Sequence, residues 1–165
     1  MVFLCGLFLG WMAIIGQLAT DSKKGEIPIV RELIRLLDLE GATVVADALH
    51  CQHETAKEIL DAGADYVLSV KKNQPNLRED IVEMIDFKQS DTCERNVSPL
   101  ELVSKTERGH GRIETRIAAV THDVDWLKER CKFPQIRTIG SITTKAETRY
   151  YISSRALSAN ELLVP

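Results

Sequence analysis

The sequence has few of the features that identify a secreted, disulfide-bonded or zinc-binding protein. Its 165 residues include only four cysteines, which lie far apart in the chain and form no C-x-x-C pair. This spacing excludes a dense disulfide framework and a recognisable zinc-ligand pair. His50, Cys51 and His53 are neighbours, but no second ligand pair follows at the spacing of a zinc finger. Dispersed cysteines are typical of reduced thiols in a cytosolic protein, so we expect a cytoplasmic location.

The chain also lacks a strong excess of charge of one sign. Its formal net charge is −3, from 21 basic and 24 acidic residues. No global basic field therefore indicates nucleic-acid binding, although local basic patches remain compatible with it. Hydrophobic residues make up 44% of the chain and charged residues 27%, which is normal for a single globular domain with a core.

No apolar run is long enough for a confident transmembrane helix, which needs about 20 residues. The longest run, residues 1–15, has neither a basic residue before it nor a clear small-residue cleavage site after it, as a signal peptide would. We interpret it as an apolar segment of uncertain origin, either a buried strand or a remnant that replaces a lost amino terminus. A membrane anchor is the less favoured alternative.

Two apolar strands, each ending in polar residues, form the most informative part of the sequence. The stretch 42–46 reads as a buried strand that ends at Asp47, and the stretch 65–70 as a second strand that ends at Lys71. An amphipathic helix over about 53–62 separates them. In open α/β sheets, ligands and chemistry gather outside the carboxyl ends of strands. The pattern therefore predicts a metal-assisted site that handles phosphate.

The rest of the chain predicts further helices and strands of an α/β fold. Val30, Leu33, Ile34 and Leu37 follow helical spacing, and Asn76 with Glu79 predicts the capped start of another helix. Polar residues over 88–100 predict a loop. The remaining predictions are a strand over 112–120, a hairpin over 136–142 and 148–154, and a helix that starts at Ser158 with Glu161 in the capping-box position.

The candidate site residues each have a simpler structural interpretation. Asp47 is a candidate metal ligand, but Asp is also common as a cap of the turn that follows a strand. Lysines and amides bind phosphate oxygens, so Lys71, Lys72, Asn73 and Gln74 are candidate DNA contacts, although the same residues are compatible with a solvated turn before Pro75.

A second basic segment carries two glycines around a histidine. Its candidate DNA contacts are Arg108, His110, Arg112 and Arg116. Glu107 and Glu114 are alternative partners for these arginines, so a strand entrance stabilised by salt bridges is at least as well supported.

Several motifs occur together and in a fixed order along the chain. They are Gly16-Gln17-Leu18-Ala19-Thr20-Asp21, Glu26-Ile27, residues 33–39, Asp47-Ala48 with Cys51-Gln52, residues 63–74, the segment 109–116, and Arg149-Tyr150-Tyr151-Ile152-Ser153-Ser154. In this combination, which covers about residues 14–163, the sequence resembles insertion-sequence transposases of the H-repeat-associated type.

The resemblance implies an α/β fold of the RNase H-like kind, with a mixed sheet and flanking helices. Members of this family use a DDE triad whose two metal ions, Mg²⁺ or Mn²⁺, activate water or a 3′-hydroxyl for in-line attack on a DNA phosphodiester. The resemblance assigns Asp47 as the second acid of that triad, hence a catalytic residue and metal ligand. It implies DNA, the transposon ends, as the partner.

The family pattern maps onto this chain only in part. The segment expected to carry the first acid is occupied by unrelated apolar residues, and the third acid belongs to a motif beyond Pro165. We therefore expect residues 16–165 to be a partial RNase H-like catalytic domain, truncated at both ends and inactive in DNA transposition. The alternative is a remnant that binds DNA or a full-length transposase and modulates the complete enzyme.

Overall fold

The computed structural model describes residues 2–8, 11–18, 26–90, 99–109 and 112–163. The strands are β1 (Val2–Phe8), β2 (Trp11–Leu18), β3 (Thr43–Ala46), β4 (Asp65–Val70), β5 (Glu101–Gly109), β6 (Arg112–Thr121), β7 (Thr138–Thr143) and β8 (Thr148–Ser153). The helices are α1 (Glu26–Leu36), α2 (His53–Asp61), α3 (Pro75–Gln89), α4 (Asp125–Arg130) and α5 (Ala159–Leu162). A short 3-10 turn, Ala48–His50, follows β3.

The described strands form a single mixed sheet. Its order is β2-β1-β3-β4-β8-β7-β6-β5. β3 and β4 run parallel, with Ala46 opposite Leu68, and the other described neighbours pair antiparallel. The parallel pair is connected by α2, which is the crossover that parallel strands require. The predicted α/β class, a mixed sheet with flanking helices as in a partial RNase H-like fold, is confirmed.

The larger core lies between the first three helices and one face of the sheet. Ile34 of α1, Ile59 of α2 and Ile81 of α3 are fully buried there, against strand residues such as Leu68 and Ile152. The apolar spacing of these helices predicted which residues point inward. Gly41 and Gly63 follow α1 and α2 with φ of +73° and +74°, a conformation in which glycine avoids the strain of a side chain.

The smaller core lies on the opposite face, under α5. Leu157, Ala159 and Leu162 pack there against Ala118 and Val120 of β6. The predicted cap of this helix is confirmed, because Ser158 Oγ accepts a hydrogen bond from the Glu161 amide and the Glu161 carboxylate accepts one from the Ser158 amide.

One local prediction, the start of α3, is wrong, and one strand, β5, had not been predicted. Helix α3 begins at Pro75, one residue before the predicted cap Asn76, and its N-cap Gln74 makes no side-chain capping bond. Proline favours the first helical position because its ring fixes φ and it has no N–H to satisfy. Strand β5 follows the predicted loop over 88–100, of which residues 91–98 lie outside the described residues, and it occupies a segment that was expected only as the entrance to the strand over 112–120. Its polar residues conceal the alternation because both of its faces are largely exposed.

Ser154 links the start of β4 to the residue that follows β8. Its buried hydroxyl accepts a hydrogen bond from the Tyr66 amide at 2.9 Å and donates one to Asp65 Oδ1 at 2.7 Å. The Ser154 amide also donates to the Tyr66 carbonyl at 3.2 Å. These bonds hold together two central neighbours of the sheet at the end opposite Lys71.

Replacing Ser154 by alanine should destabilise the domain, because the buried Tyr66 amide loses its acceptor. We expect Ser154→Ala to lower the free energy of unfolding by about 1–3 kcal/mol, measured by urea denaturation. Ser104→Ala is the matched control, since Ser104 is exposed, and its effect should stay within about 0.5 kcal/mol. Equal stability of the two variants would contradict this role for Ser154.

Candidate functional site

The parallel pairing of β3 and β4 brings the predicted site residues together. Both strands end at the same edge of the sheet, so that Asp47 directly follows β3 and Lys71 directly follows β4. The two residues line one open cleft of about 620 Å³. The prediction that the acid and the basic loop lie at neighbouring strand ends agrees with this geometry.

Asp47 is exposed and serves as the cap of the turn that follows β3. Its Oδ1 accepts a hydrogen bond from the Leu49 amide at 3.0 Å. Within the described ranges, its second oxygen, Oδ2, accepts no hydrogen bond. Asp47 is therefore a cap, as its structural interpretation predicted. One of its carboxylate oxygens remains available to solvent or to a ligand.

Asn73 and Gln74 tie the loop after β4 to the segment that carries Asp47. Asn73 Nδ2 donates to the Ala48 carbonyl at 2.5 Å, and Gln74 Nε2 donates to the Cys51 carbonyl at 3.0 Å. Both amides therefore use a donor to satisfy backbone carbonyls of the adjacent turn. Direct contact of these two side chains with DNA remains a prediction.

Several cationic side chains line the cleft around Asp47. Lys71, Lys72 and Arg78 are exposed there, and the Arg78 guanidinium lies 5.3 Å from the centre of the Tyr150 ring. A guanidinium that lies over an aromatic ring is oriented by it, while its N–H groups stay free to donate in the plane of the group. Arg149 also lines the cleft, where its Nε donates to Glu147 Oε1 at 2.6 Å.

No pattern in the sequence assigned Arg78, Arg149 or Tyr150 to this site. Arg78 belongs to the first turn of α3, and the other two belong to β8, which is far from Asp47 in the chain. The pairing of Val70 with Tyr150 brings β8 beside the basic loop. No local sequence signal encodes that pairing; only the motif Arg149-Tyr150-Tyr151 within the family resemblance marked these residues.

The second predicted basic group lies on the β5–β6 ribbon, and most of it is separate from this cleft. Arg108 is exposed near the end of β5, while Arg116 of β6 forms an ion pair with Glu107. Lys105 Nζ also lies 2.8 Å from Glu107. Arg112 begins β6, and His110 lies outside the described residues. Arg116 thus forms the salt bridge with Glu107 that was predicted as the alternative to DNA contact.

Arg108 and Arg116 project from opposite faces of the ribbon. Residues directly opposite each other in a sheet share a face, and Arg108 pairs with Ile113 while Arg116 pairs with Lys105. Arg116 borders a different groove, of about 460 Å³, together with Glu114 and the α5 residue Glu161. A DNA duplex that lies against one face of this ribbon therefore cannot contact both arginines.

The described residues do not form a complete site for Mg²⁺. This ion requires near-octahedral oxygen coordination, and one free oxygen of Asp47 replaces few of its waters. Within the ranges that the structure describes, no group of three His, Cys, Asp or Glu side chains is arranged to hold a metal ion.

Zinc coordination by the Cys51 region is also disfavoured. Cys51 is buried, and this burial, more than the neighbouring Cys131, raises the pKa of its thiol to about 12. A zinc-binding cysteine must be deprotonated, so the environment of Cys51 opposes the required thiolate. His53 instead packs edge-on against the ring of Phe133, with the two ring centres 6.5 Å apart.

Removing the Asn73 tether should loosen the segment that carries Asp47. We expect Asn73→Ala to increase amide hydrogen exchange of residues 49–51 by about fivefold, the equivalent of about 1 kcal/mol for a lost hydrogen bond. The matched control is Asn76→Ala, because Asn76 is exposed at the start of α3. Hydrogen exchange measured by mass spectrometry tests this, and unchanged protection in Asn73→Ala would show that the tether is dispensable.

Comparison with known proteins places the chain among transposases. The model of the family described as "Transposase DDE domain" matches residues 8–164. The chain is 33% identical over 140 residues to the "Uncharacterized protein in dhlA 3'region" of Xanthobacter autotrophicus, covering 85% of this chain and 45% of that protein. No solved structure matches the chain.

Two relatives from Escherichia coli K12 carry names of the H-repeat-associated type. "H repeat-associated putative transposase YhhI" is 32% identical over 161 residues, covering 90% of this chain and 41% of the relative. "H repeat-associated putative transposase YbfD" is 36% identical over 114 residues, covering 69% and 43%. The chain thus spans less than half the length of these relatives. Because the family match extends over nearly the whole sequence, this chain belongs to the transposase DDE domain family.

Proposed function

We propose that this chain is a DNA-binding part of a transposase catalytic domain and that the cleft around Asp47 is its DNA site. The observation that carries the proposal is the concentration of cations in that cleft. Lys71, Lys72, Arg78 and Arg149 line it together with two acids, Asp47 and Glu147. In a chain whose formal net charge is −3, this local excess of positive charge favours a phosphate backbone.

The cations of the cleft differ in how free they are to contact a ligand. Glu147 is bonded to Arg149, and this hydrogen bond raises the pKa of the Arg149 guanidinium. Among the described residues, Lys71, Lys72 and Arg78 form no ion pair with an acid. These three side chains therefore have the most N–H donors available for phosphate oxygens, and they supply positioning contacts rather than sequence recognition.

Loss of the two loop lysines should weaken DNA binding and reduce its dependence on salt. For each phosphate contact, the slope of log K against log salt concentration changes by about 0.9, so Lys71→Ala with Lys72→Ala should reduce the slope by about 1.8. Fluorescence anisotropy with labelled duplex DNA, repeated over several salt concentrations, measures this slope.

Lys57→Ala provides the control for this titration. Lys57 is an exposed lysine on α2 outside the cleft, so its loss changes the net charge without removing a proposed contact. An affinity that does not vary with salt, or a slope that falls equally in the control, would exclude the cleft as a phosphate-binding site. Arg108 and Arg116 do not line this cleft, and they remain predicted DNA contacts, as do His110 and Arg112.

The family's activity, metal-dependent DNA cleavage and strand transfer in transposition, is proposed for the complete protein. Members of the family depend in general on divalent metal ions. Asp47 retains the position that the resemblance assigns to the second acid, but the described donors do not complete a Mg²⁺ or Mn²⁺ site. We therefore infer that this chain alone does not cleave DNA.

The absence of cleavage is directly testable. Purified chain incubated with Mg²⁺ or Mn²⁺ should not nick supercoiled DNA that carries the ends of the element, and Asp47→Ala should behave identically in a gel assay. The expected result follows because a single carboxylate leaves the ion with most of its waters. Metal-dependent nicking that disappears in Asp47→Ala would contradict this inference and would assign Asp47 a catalytic role.

The remaining expectations concern partners and location. No helix in the part of the chain that the structure describes is long and apolar enough to cross a membrane. Cytoplasmic location, association with a full-length transposase, and the division of the chain at residues 15 and 16 remain predictions.

A further inference from the structure

Strand β5 forms one edge of the sheet. It pairs with β6 on one side, and none of the described strands pairs with its outer side. The segment Glu101–Gly109 contains no proline, and most of its residues are exposed. An edge of this kind presents unpaired N–H and C=O groups, which can pair with a strand of another chain.

One face of the β5–β6 ribbon also exposes large apolar side chains. Leu102, Ile113 and Ile117 are 55%, 62% and 43% exposed. Leu102 pairs with Ala119, Ile113 with Arg108 and Ile117 with Ser104. Every second residue of a strand lies on the same face, and directly opposite residues share a face, so all three apolar side chains lie on one face of the ribbon. Exposed apolar side chains that cluster in this way indicate a surface for another protein.

The other face of the ribbon carries charged side chains, and residues of like charge lie opposite each other on β5 and β6. Lys105 lies opposite Arg116, and Glu107 lies opposite Glu114. Like charges directly opposite each other destabilise a sheet. Glu107 offsets this by pairing with both Lys105 and Arg116, but the side chains of Lys105 and Glu107 remain 52% and 45% exposed. Both can therefore interact with a further charged strand.

We propose that a second copy of this chain pairs with the outer edge of β5, antiparallel and centred on Thr106. In this register Lys105 faces Glu107 of the second copy, and the two-fold symmetry repeats the pair. Ser104 faces Arg108 of the second copy on the opposite face. The dimer would extend the sheet across both protomers and place two opposite-charge pairs at its centre.

Neighbouring symmetric registers fit less well. A dimer centred on Lys105 opposes two lysines, and one centred on Glu107 opposes two glutamates, which is unfavourable in both cases. A dimer centred on Val103 restricts the ladder within β5 to residues 101–105. The Thr106 register combines charge complementarity with a ladder over residues 103–109.

The Thr106 register also places apolar side chains of both protomers on one face, at the two ends of a row that crosses the interface. Arg108 lies beside Ile113 within one protomer, and Ser104 lies beside Ile117 in the other. Pairing Arg108 with Ser104 brings these isoleucines onto the same row and the same face. The methylene groups of Arg108 can then cover part of their apolar surface.

Cysteine cross-linking tests the register directly. Opposite residues of an antiparallel pair have Cα atoms about 4.5–5.5 Å apart, within the range of a disulfide. Thr106→Cys should therefore form a disulfide-linked dimer under mild oxidation. Ser104→Cys is the matched control, because its two copies would lie about 13 Å apart along the strands and should remain unlinked. Peptide mass spectrometry verifies that residue 106 forms the bond rather than a native cysteine.

Charge exchange tests the same interface without a covalent bond. Lys105→Glu or Glu107→Lys alone should shift sedimentation from dimer to monomer, and the two together should restore the dimer, because each substitution reverses one member of the proposed pair. Circular dichroism verifies that each variant is folded, since both residues also interact within the chain. The samples are treated with nuclease, so that a dimer held together by nucleic acid is lost.

The outcomes separate the alternatives. Preferential cross-linking at residue 106 together with a dimer restored by the double substitution supports the proposal. A monomer at all concentrations with equal cross-linking of the two cysteine variants overturns it. A dimer that disappears on nuclease treatment also overturns it and assigns the association to DNA.

Discussion

The structure of the candidate site depends on the parallel pairing of β3 with β4. Two parallel strands end at the same edge of a sheet, so the chain leaves both strands on the same side of the molecule. Asp47 and Lys71 become neighbours for this reason, although α2 separates them in the sequence. The amides of Asn73 and Gln74 then fix the two loops to each other by bonds to backbone carbonyls.

The same cleft fits the proposed DNA binding better than it fits DNA cleavage. Binding requires cations near the phosphates, and the cleft is lined by cations from the loop after β4, the first turn of α3 and the start of β8. Cleavage by two metal ions requires several oxygen ligands around each ion. Asp47 provides one carboxylate, and part of its hydrogen-bonding capacity is used to cap the turn after β3.

The two basic groups predicted from the sequence have different environments in the fold. The lysines after β4 are exposed in the cleft, whereas Arg116 is bonded to an acid on the β5–β6 ribbon. The alternation of side chains along β6 decides this difference, because it directs Arg116 to the face that carries Glu107 and Glu114. The opposite face of the same ribbon exposes the apolar side chains of Ile113 and Ile117 near the edge of the sheet.

The sequence by itself determined most helices, most strands and the family, because apolar periodicity and glycine positions are local signals. It also indicated Asp47 and the lysines of the loop, since each directly follows a recognisable apolar strand. Only the tertiary structure decided that Arg78 and Tyr150 join this site, because β8 reaches β4 through a pairing between distant segments. The edge strand β5 was likewise decided by the three-dimensional context, whereas the start of α3 follows from a local signal that the predicted cap had overlooked. Proline at the first helical position displaced the expected cap, and a strand exposed on both faces lacks the alternation that burial imposes.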